Sequence, residues 1–277
     1  MTQTDFFKLS TESGIAHLML DNANQANCLN DAFWIELPQI MHQLDADTAV
    51  RAVVISGEGK HFCAGMDLSS FAFISECAEA EAGRGAHALY NRIRQLQSAF
   101  DAVEHSRLPV IAAAHGACIG GAIDFLCACD IRLASRDARF SVAEINVGMA
   151  ADVGTLQRLP RLIAPGIVKE LAYTGRRFDA EEALGWGFVN SVHDDRETVI
   201  KEALDMAKLI ASKSPLALAG TKRGINYGLD HSVAEGLEQI ATWNAGMLRP
   251  TDLNAAKTAM QEKRQAVFDD LDHALQI

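Results

Sequence analysis

The chain has 277 residues, of which 49% are hydrophobic, and it carries a formal net charge of −11 at pH 7. The hydrophobic content excludes a disordered chain, and the length suits one large domain or one domain with an appendage. The negative charge argues against a general nucleic-acid binder, and no apolar run approaches the roughly 20 residues that span a bilayer. Neither nucleic acid nor a membrane is therefore an expected partner.

The cysteines and the residues at the chain ends are used to predict the cellular compartment of the protein. The six cysteines lie in apolar or small-residue stretches and form no CxxC repeat of the kind that binds metal. Reduced, buried thiols are typical of cytosolic proteins. The first residues contain no signal sequence or Arg-rich import sequence, and the final ALQI differs from the SKL-type peroxisomal signal. These features predict a cytoplasmic protein. The cysteines are Cys28, Cys63, Cys77, Cys118, Cys127 and Cys129.

Short strands and one long helix are predicted at the start of the chain. Alternating apolar residues in IAHLML predict two strands within 6–20, separated by a Ser-Gly turn. After a loop rich in Asn and Asp, Asp31 is expected to cap a helix over 32–46, where apolar residues recur at helical spacing. The run VRAVVIS at 50–56 predicts a buried strand.

Glycine-rich turns next to buried elements mark the middle of the chain. Residues 69–85 are acidic and rich in small residues, and no element is predicted there. The β-branched and alanine-rich run at 109–114 predicts a buried strand, and the apolar run at 122–129 predicts a buried helix. A turn containing Gly116, Gly120 and Gly121 separates the two. A helix over 86–105 and a strand over 131–134 flank this unit.

The last part of the chain is predicted to be almost wholly helical. Helices are expected over 152–162, over 167–173 and from Asp179 to Gly187, and a strand is expected over 188–192. No strand is predicted beyond about residue 198. The predicted domain organisation is therefore an α/β core, 1–197, and a C-terminal helical region, 198–277. Within that region the predicted helices are 199–212, 233–247 and 252–268.

Three acids stand out in the otherwise apolar stretch 109–154: Asp124, Glu144 and Asp152. A carboxylate in apolar surroundings is costly unless it is paired or hydrogen-bonded, so three that converge would indicate a functional site. Each acid alone has an ordinary structural interpretation. Asp124 falls in the first turn of a predicted helix, where the dipole favours it, and acids are common in loops.

Several other polar residues have structural interpretations that outweigh functional ones. His61 and His115 adjoin the glycine motifs, but no serine or thiol nucleophile is placed with them, so they are interpreted as structural. Lys60, Lys222 and Arg223 could contact a phosphorylated ligand, although a solvated surface position is the more frequent role of such residues. These basic residues are not assigned to the site.

Three motifs in this order resemble the enoyl-CoA hydratase/isomerase (crotonase) family: HFCAGMDL at 61–68, HGACIGGAIDFLCACDIRLAS at 115–135, and AEINVGMAADVGTLQRLPRLI at 143–163. The resemblance covers nearly the whole chain. It implies an α/β crotonase (ClpP/crotonase-like) fold, a spiral of ββα units with two roughly perpendicular sheets. It also implies a C-terminal helical region that builds homotrimers, which commonly pair into homohexamers.

The resemblance further implies an acyl-CoA thioester substrate and no cofactor or metal, since CoA is part of the substrate. At matching positions, the amides of Met66 and Gly121 would form an oxyanion hole for the thioester oxygen, as preorganised N–H donors stabilise an enolate. Residues 71–74 are a candidate lining for the acyl channel. Asp67 is interpreted as a brace for its loop. The expected substrate-binding residues are Ala64, Gly65, Asp67 and Gly120.

The acid pattern looks most like that of the Δ3,5-Δ2,4-dienoyl-CoA isomerases of fatty-acid β-oxidation. Moving two double bonds takes a proton from C2 and returns one at C6, and two separate acids suit that distance. By this resemblance Glu144 would be the base at C2 and Asp152 the donor at C6, while Asp124 would orient Glu144. Burial should raise the pKa of Asp152 above its ordinary value, and the neighbouring acids should act in the same direction.

Two other functions stay open. An enoyl-CoA hydratase of the same fold would use Asp124 and Glu144 to hold the water that adds to a 2-enoyl-CoA. A crotonase-fold RNA-binding module is disfavoured by the negative charge and the intact set of acids.

Overall fold

A computed structural model describes residues 2–271. Within this span, ten strands are labelled in chain order. They are β1 (Thr2–Gln3), β2 (Phe7–Glu12), β3 (Ile15–Leu20), β4 (Ala52–Gly57), β5 (Val110–Ala114), β6 (Ala117–Ile119), β7 (Ile131–Ser135), β8 (Arg139–Ser141), β9 (Phe178–Asp179) and β10 (Ser191–His193).

The strands form one large and one small sheet. The large sheet has the order β1-β2-β3-β4-β5-β7-β10, in which β1, β2 and β3 are antiparallel and the pairs from β3 onward are parallel. The small sheet has the order β6-β8-β9, with one parallel and one antiparallel pair. Chain connections between parallel neighbours need crossovers, and helices provide most of them. The expected α/β class is confirmed.

Eleven α-helices are found in the same span. They are α1 (Asp31–Ala46), α2 (Ala72–Glu79), α3 (Ala82–His105), α4 (Gly121–Ala128), α5 (Thr155–Arg158), α6 (Pro165–Thr174), α7 (Ala180–Gly185), α8 (Arg196–Ala211), α9 (Pro215–Asp230), α10 (Val233–Met247) and α11 (Pro250–Gln261). Short 3-10 turns occur at Ala23–Gln25, Leu68–Phe71, Glu144–Val147 and Leu159–Arg161.

Both faces of the large sheet are buried, and the side chains of each strand alternate between them. On β5, Val110, Ala112 and Ala114 join the main core with α1, α3 and α4. Ile111 and Ala113 point the other way, into a second core that α8 closes. The run VIAAA is thus apolar throughout because water reaches neither face.

Helix α8 covers the second face of the sheet. Its Val199, Ala203 and Ala207 are fully buried against residues of β4, β5 and β7. The predicted division at 197/198 falls within this helix, and it stays a prediction. In the described part of the chain, no helix combines the length and the apolar character required to cross a membrane.

The predicted elements are mostly present, with informative differences at their ends. The cap of α1 is Asn30, whose side chain accepts a hydrogen bond from the Phe33 amide, and Asp31 is the first helical residue. No element is predicted in 69–85, but α2 lies there and α3 begins at Ala82, where Glu81 caps it. Helix α9 begins at Pro215, with Ser214 as cap, although no separate helix is predicted there.

Further differences occur near residues 190 and 260. The strand expected over 188–192 is instead the short β10. Phe188 and Val189 are buried next to the end of α7 rather than paired in a sheet. The last helix ends at Gln261 instead of 268, and Lys263 has a positive φ of 53°. A residue in that conformation ends a right-handed helix.

Candidate active site

Two loops lie side by side next to α4. The loop of the first glycine motif pairs with β6 through a bridge between Cys63 and Cys118, and Leu29 pairs with Met66. Gly65 lies between these bridges with a φ of 102°. A Cβ atom at Gly65 would lie 2.9 Å from the carbonyl oxygen of Ile119. The close approach of the two backbones therefore requires glycine at position 65.

This approach brings two amide groups together. Gly121 is the first residue of α4, where amides have no partner within the helix. A Cβ atom on Gly121 would lie 4.0 Å from the amide nitrogen of Met66. Within residues 2–271, neither of these two amides donates a hydrogen bond to another protein group. The pair has the composition of an oxyanion hole, with two unused N–H donors side by side.

A cavity of about 210 Å³ opens in front of these amides. All three candidate acids line it, together with Met66 and Gly121. Its other lining residues are mainly apolar or glycine: Ala64, Gly65, Phe71, Ile119, Gly120, Ala143, Val147, Met149 and Val153. The structure therefore brings Asp124, Glu144 and Asp152 to one cavity, although 28 positions separate the first from the last. A role confined to capping a helix or a loop at the surface therefore does not explain any of the three acids.

Asp124 is fully buried on α4. One carboxyl oxygen accepts a hydrogen bond of 2.5 Å from the Thr155 amide, and the other has no partner in the described chain. Burial raises the pKa of Asp124 to about 6, and the charge of Asp152 acts in the same direction. The hydrogen bond from the Thr155 amide and the charge of Arg158 oppose this rise. Asp124 thus connects α4 to the start of α5.

Glu144 begins a 3-10 turn after β8. Burial raises its pKa to about 7, and the charge of the nearby Asp124 carboxyl adds to this rise. The carboxyl lies against Gly120, where a Cβ atom would make an ordinary contact of 3.4 Å with Glu144 Oε1. The positive φ of Gly120, 55°, also turns the chain into α4.

Asp152 lies in a loop, and the helix predicted from 152 begins only at Thr155. Gly154 has a φ of 137°, which a right-handed helix does not permit. The pKa of Asp152 is raised by burial, which confirms the predicted direction. The predicted contribution of neighbouring acids acts instead on Asp124 and Glu144, whose pKa values the charge of Asp152 raises.

A second cavity, of about 290 Å³, adjoins the first. The two share Met66, Phe71, Met149 and Asp152. The second cavity lies under α2 and α3, where its lining is largely apolar: Trp34, Phe73, Ile74, Leu89, Ile93, Leu96 and Ala150, with Ser70 and Arg92. Asp152 therefore stands between the cavity that holds the other two acids and a second, largely apolar cavity.

We expect Asp124→Asn to stabilise the fold in a pH-dependent way. Because the folded protein holds the pKa of Asp124 at about 6, above its ordinary 3.8, ionisation of this acid disfavours the folded state. The penalty grows as pH rises from about 4 to about 6 and stays constant above that range. The variant should then exceed wild type by on the order of 2 kcal/mol at pH 7.5, and by much less at pH 4. Urea denaturation at both pH values measures this; an equal difference at both would contradict it.

The remaining predicted residues divide into lining and bracing positions. Ala64, Gly65 and Gly120 line the first cavity. Asp67 does not line it, and its carboxylate instead accepts a hydrogen bond of 2.9 Å from the Ser69 amide, which lowers its pKa. The substrate-binding assignment of Asp67 is therefore replaced by the bracing interpretation.

The two histidines also brace loops. His61 Nδ1 accepts a hydrogen bond of 3.1 Å from the Ala117 amide, and His115 Nε2 lies 3.1 Å from the Gly59 carbonyl oxygen. Lys222 is buried and contacts Asp130 at 2.8 Å, so it is not available for a phosphate. Arg223 stacks over Trp243. In the described residues, no group of three or more His, Cys, Asp or Glu side chains is arranged to hold a metal ion.

Two functional candidates had no signal in the sequence. Gln97 of α3 donates a hydrogen bond of 2.6 Å to the carbonyl oxygen of Asp152. Arg158 contacts the next carbonyl, that of Val153, at 3.4 Å. The first contact depends on the tertiary packing of α3 against the loop that carries Asp152, and two acids of α3, Asp101 and Glu104, hold Arg158 for the second.

The similarity to curated relatives extends over most of the chain. The peroxisomal Delta(3,5)-Delta(2,4)-dienoyl-CoA isomerase of Arabidopsis thaliana is 41% identical over 266 residues, which are 95% of this chain and 96% of the relative. The mitochondrial Delta(3,5)-Delta(2,4)-dienoyl-CoA isomerase of Homo sapiens is 43% identical over 258 residues, 92% of this chain and 79% of the relative.

The names of these relatives contradict the cytoplasmic prediction. One is peroxisomal and the other mitochondrial. The prediction was based on the thiols and on the residues at the chain ends, and free thiols do not distinguish the compartments. All six cysteines are free, and burial raises the pKa values of Cys63 and Cys118, so these two thiols are unreactive in any compartment.

A solved structure and a family model agree with these relatives. The enoyl-CoA hydratase of Bacillus anthracis superposes with a TM-score of 0.85 and 30% sequence identity, covering 95% of this chain and 99% of the other. A family model for enoyl-CoA hydratase/isomerase matches residues 10–271. With its paired amides and its cavity, the chain belongs to the enoyl-CoA hydratase/isomerase family.

Proposed function

We propose that this protein is a Δ3,5-Δ2,4-dienoyl-CoA isomerase acting in fatty-acid β-oxidation. The observation that carries the proposal is the convergence of Asp124, Glu144 and Asp152 on one cavity that also presents the amides of Met66 and Gly121. The similarity to two dienoyl-CoA isomerases over nearly the whole chain supports it. The reaction as proposed uses neither a metal nor a cofactor, because CoA belongs to the substrate.

The first step would form a dienolate. The carboxylate of Glu144 removes a proton from C2, the C2–H electron pair delocalises over the diene, and negative charge accumulates on the thioester oxygen. The N–H groups of Met66 and Gly121 would donate to this oxygen. Two donors fixed by the fold need no reorganisation as the charge develops, and one such donor is typically worth about 3 kcal/mol of barrier.

The second step would place a proton at C6. The carboxyl of Asp152 gives up its proton, a C6–H bond forms, and the double bonds move from C3 and C5 to C2 and C4. Asp152 becomes a carboxylate and Glu144 a carboxylic acid, so one proton must return from Glu144 to Asp152 before the next turnover. Asp124 lines the same cavity as Glu144 and would assist this return.

The pKa directions suit these roles. A base is stronger when its pKa is raised towards the working pH, and burial raises that of Glu144 to about 7. A proton donor must hold its proton near neutrality, and burial also raises the pKa of Asp152. Ordinary carboxyls, ionised far below neutrality, would be weaker as bases and rarely available as acids.

An enoyl-CoA hydratase is the second candidate function. The similarity to the Bacillus anthracis enoyl-CoA hydratase favours it, as do the facing carboxyls of Asp124 and Glu144, which could hold a water. Asp152 argues for the isomerase, because hydration at C2 and C3 leaves a third acid in the cavity without a role. The apolar cavity beyond Asp152 likewise suits an acyl chain that extends past C6.

Two substrates separate these functions. Wild-type protein is incubated with a 3,5-dienoyl-CoA and, separately, with a 2-enoyl-CoA, while the ultraviolet spectrum is followed. We expect rising absorbance of the conjugated 2,4-dienoyl thioester from the first substrate, faster than any loss of enoyl absorbance from the second. Hydration of the enoyl substrate without conversion of the dienoyl substrate would replace the isomerase by the hydratase.

We also propose assembly into homotrimers or homohexamers. Helices α9 and α10 expose apolar side chains, with Ile225 62%, Val233 81% and Leu237 63% exposed in the single chain. Association of these helices with a second copy would remove that surface from water. Sedimentation velocity distinguishes a trimer or hexamer from a monomer.

A further inference from the structure

Helix α3 holds the loop of Asp152 directly through Gln97 and indirectly through Arg158 of α5. Gln97 Nε2 donates to the carbonyl oxygen of Asp152 over 2.6 Å. Arg158 Nη1 donates to the carbonyl oxygen of Val153 over 3.4 Å, and two acids of α3 hold Arg158 in turn. Residues 150–154 belong to no helix or strand, so these side chains supply restraints that backbone pairing does not.

The contacts form one polar stripe along α3, composed of Arg94, Gln97, Asp101 and Glu104. Residues at these spacings lie on one face of a helix. Arg94 Nη1 donates to the side-chain oxygen Oε1 of Gln97 over 2.6 Å, and Nε2 of the same side chain is directed to Asp152. Asp101 and Glu104 hold Arg158 at 2.6 Å and 2.7 Å.

Arg158 also occupies a place that a side chain at Gly154 would fill. Its side chain is 12% exposed. A Cβ atom at Gly154 would lie 2.0 Å from Arg158 Nη1. The guanidinium is therefore packed against the loop rather than free on the surface. The stripe and the loop are one assembled unit, and its contact nearest to the acid is the one made by Gln97.

We infer that Gln97 is a positioning residue for Asp152: its amide fixes the Asp152 peptide and so aims the Asp152 carboxyl at the far end of the bound diene. This inference rests on the proposed function, in which Asp152 protonates C6. Gln97 lines neither of the two cavities and touches no reacting atom. It acts through the backbone of its neighbour, and the base Glu144, held on a different segment, does not depend on it.

The two half-reactions provide the test. In heavy water, Glu144 exchanges the C2 proton of the substrate, whereas product forms only when C6 is protonated. Gln97→Met keeps the length of the side chain and removes its donor. We expect product turnover to fall about 10- to 100-fold, since a displacement of about 1 Å costs that much. Deuterium should still enter C2 of the recovered 3,5-dienoyl-CoA at a rate within about twofold of wild type.

Two further variants complete the design. Gln97→Glu retains the size and the contact with Arg94 but has no N–H donor, and it should show the same split between exchange and turnover. Gln95→Met makes the same chemical change two positions away, at an exposed side chain that contacts Arg92, and should leave both rates unchanged.

Equal losses of exchange and turnover in both Gln97 variants, with a lower melting temperature, would assign Gln97 a structural role and overturn the inference. Wild-type turnover in either variant would also overturn it. Failure of the wild-type protein to convert 3,5-dienoyl-CoA is a different result, because it removes the proposed function itself.

Discussion

Asp152→Asn is expected to abolish the conversion of 3,5-dienoyl-CoA, with a loss of turnover on the order of 1,000-fold. Asparagine has the shape of aspartic acid but has no proton to give to C6, and a positioned general acid contributes about 100- to 10,000-fold. Asp152 lines both cavities, so the change alters the proton donor at their junction without altering their volume. Stopped-flow absorbance of the 2,4-dienoyl product measures the loss.

Binding and exchange provide the controls for Asp152→Asn. The variant should bind a saturated acyl-CoA within about threefold of wild type, because the amides that hold the thioester are elsewhere. It should also still exchange the C2 proton. Asp194→Asn makes the same substitution at a carboxylate that is 83% exposed, and it should behave as wild type. If Asp152→Asn retains wild-type turnover, another group protonates C6.

The sequence could predict the strands of the large sheet and the longer helices because their apolar residues recur with clear periods. Helix α10 has the predicted bounds, Val233–Met247. The small sheet had no such signal. Strands β6, β8 and β9 contain three, three and two residues, which is too short for alternation to be recognised. The family resemblance, rather than the pattern, implied a second sheet.

The candidate site was predicted to a similar extent. The resemblance named Met66, Gly121 and the three acids, and all of them line one cavity. The sequence did not predict the hydrogen bonds that hold these acids in place. The Thr155 amide meets Asp124 across 31 positions, and Gln97 meets Asp152 across 55. Such contacts have no local signature, since they arise only when α3, α4 and the loop pack together.

Glu144→Gln is expected to stop both half-reactions. Glutamine cannot accept the C2 proton, so neither exchange of that proton nor formation of product should be detected above about 0.1% of the wild-type rate. The fold should be retained, because the buried position loses a charge that burial disfavours. Proton NMR in heavy water follows the C2 signal while absorbance follows the product.

The pattern across variants separates base from acid. Loss of exchange in Glu144→Gln together with its retention in Asp152→Asn assigns C2 to Glu144; persistent exchange in Glu144→Gln would point to Asp124 as the base.

The pH dependence of wild-type exchange at C2 provides an independent check on Glu144. Because burial raises the pKa of Glu144 to about 7, the carboxylate form is scarce below this pH and predominant above it. Wild-type exchange at C2 should therefore increase as pH rises from about 6 to about 8 and then level off, whereas an ordinary carboxylate would give a rate independent of pH in that range.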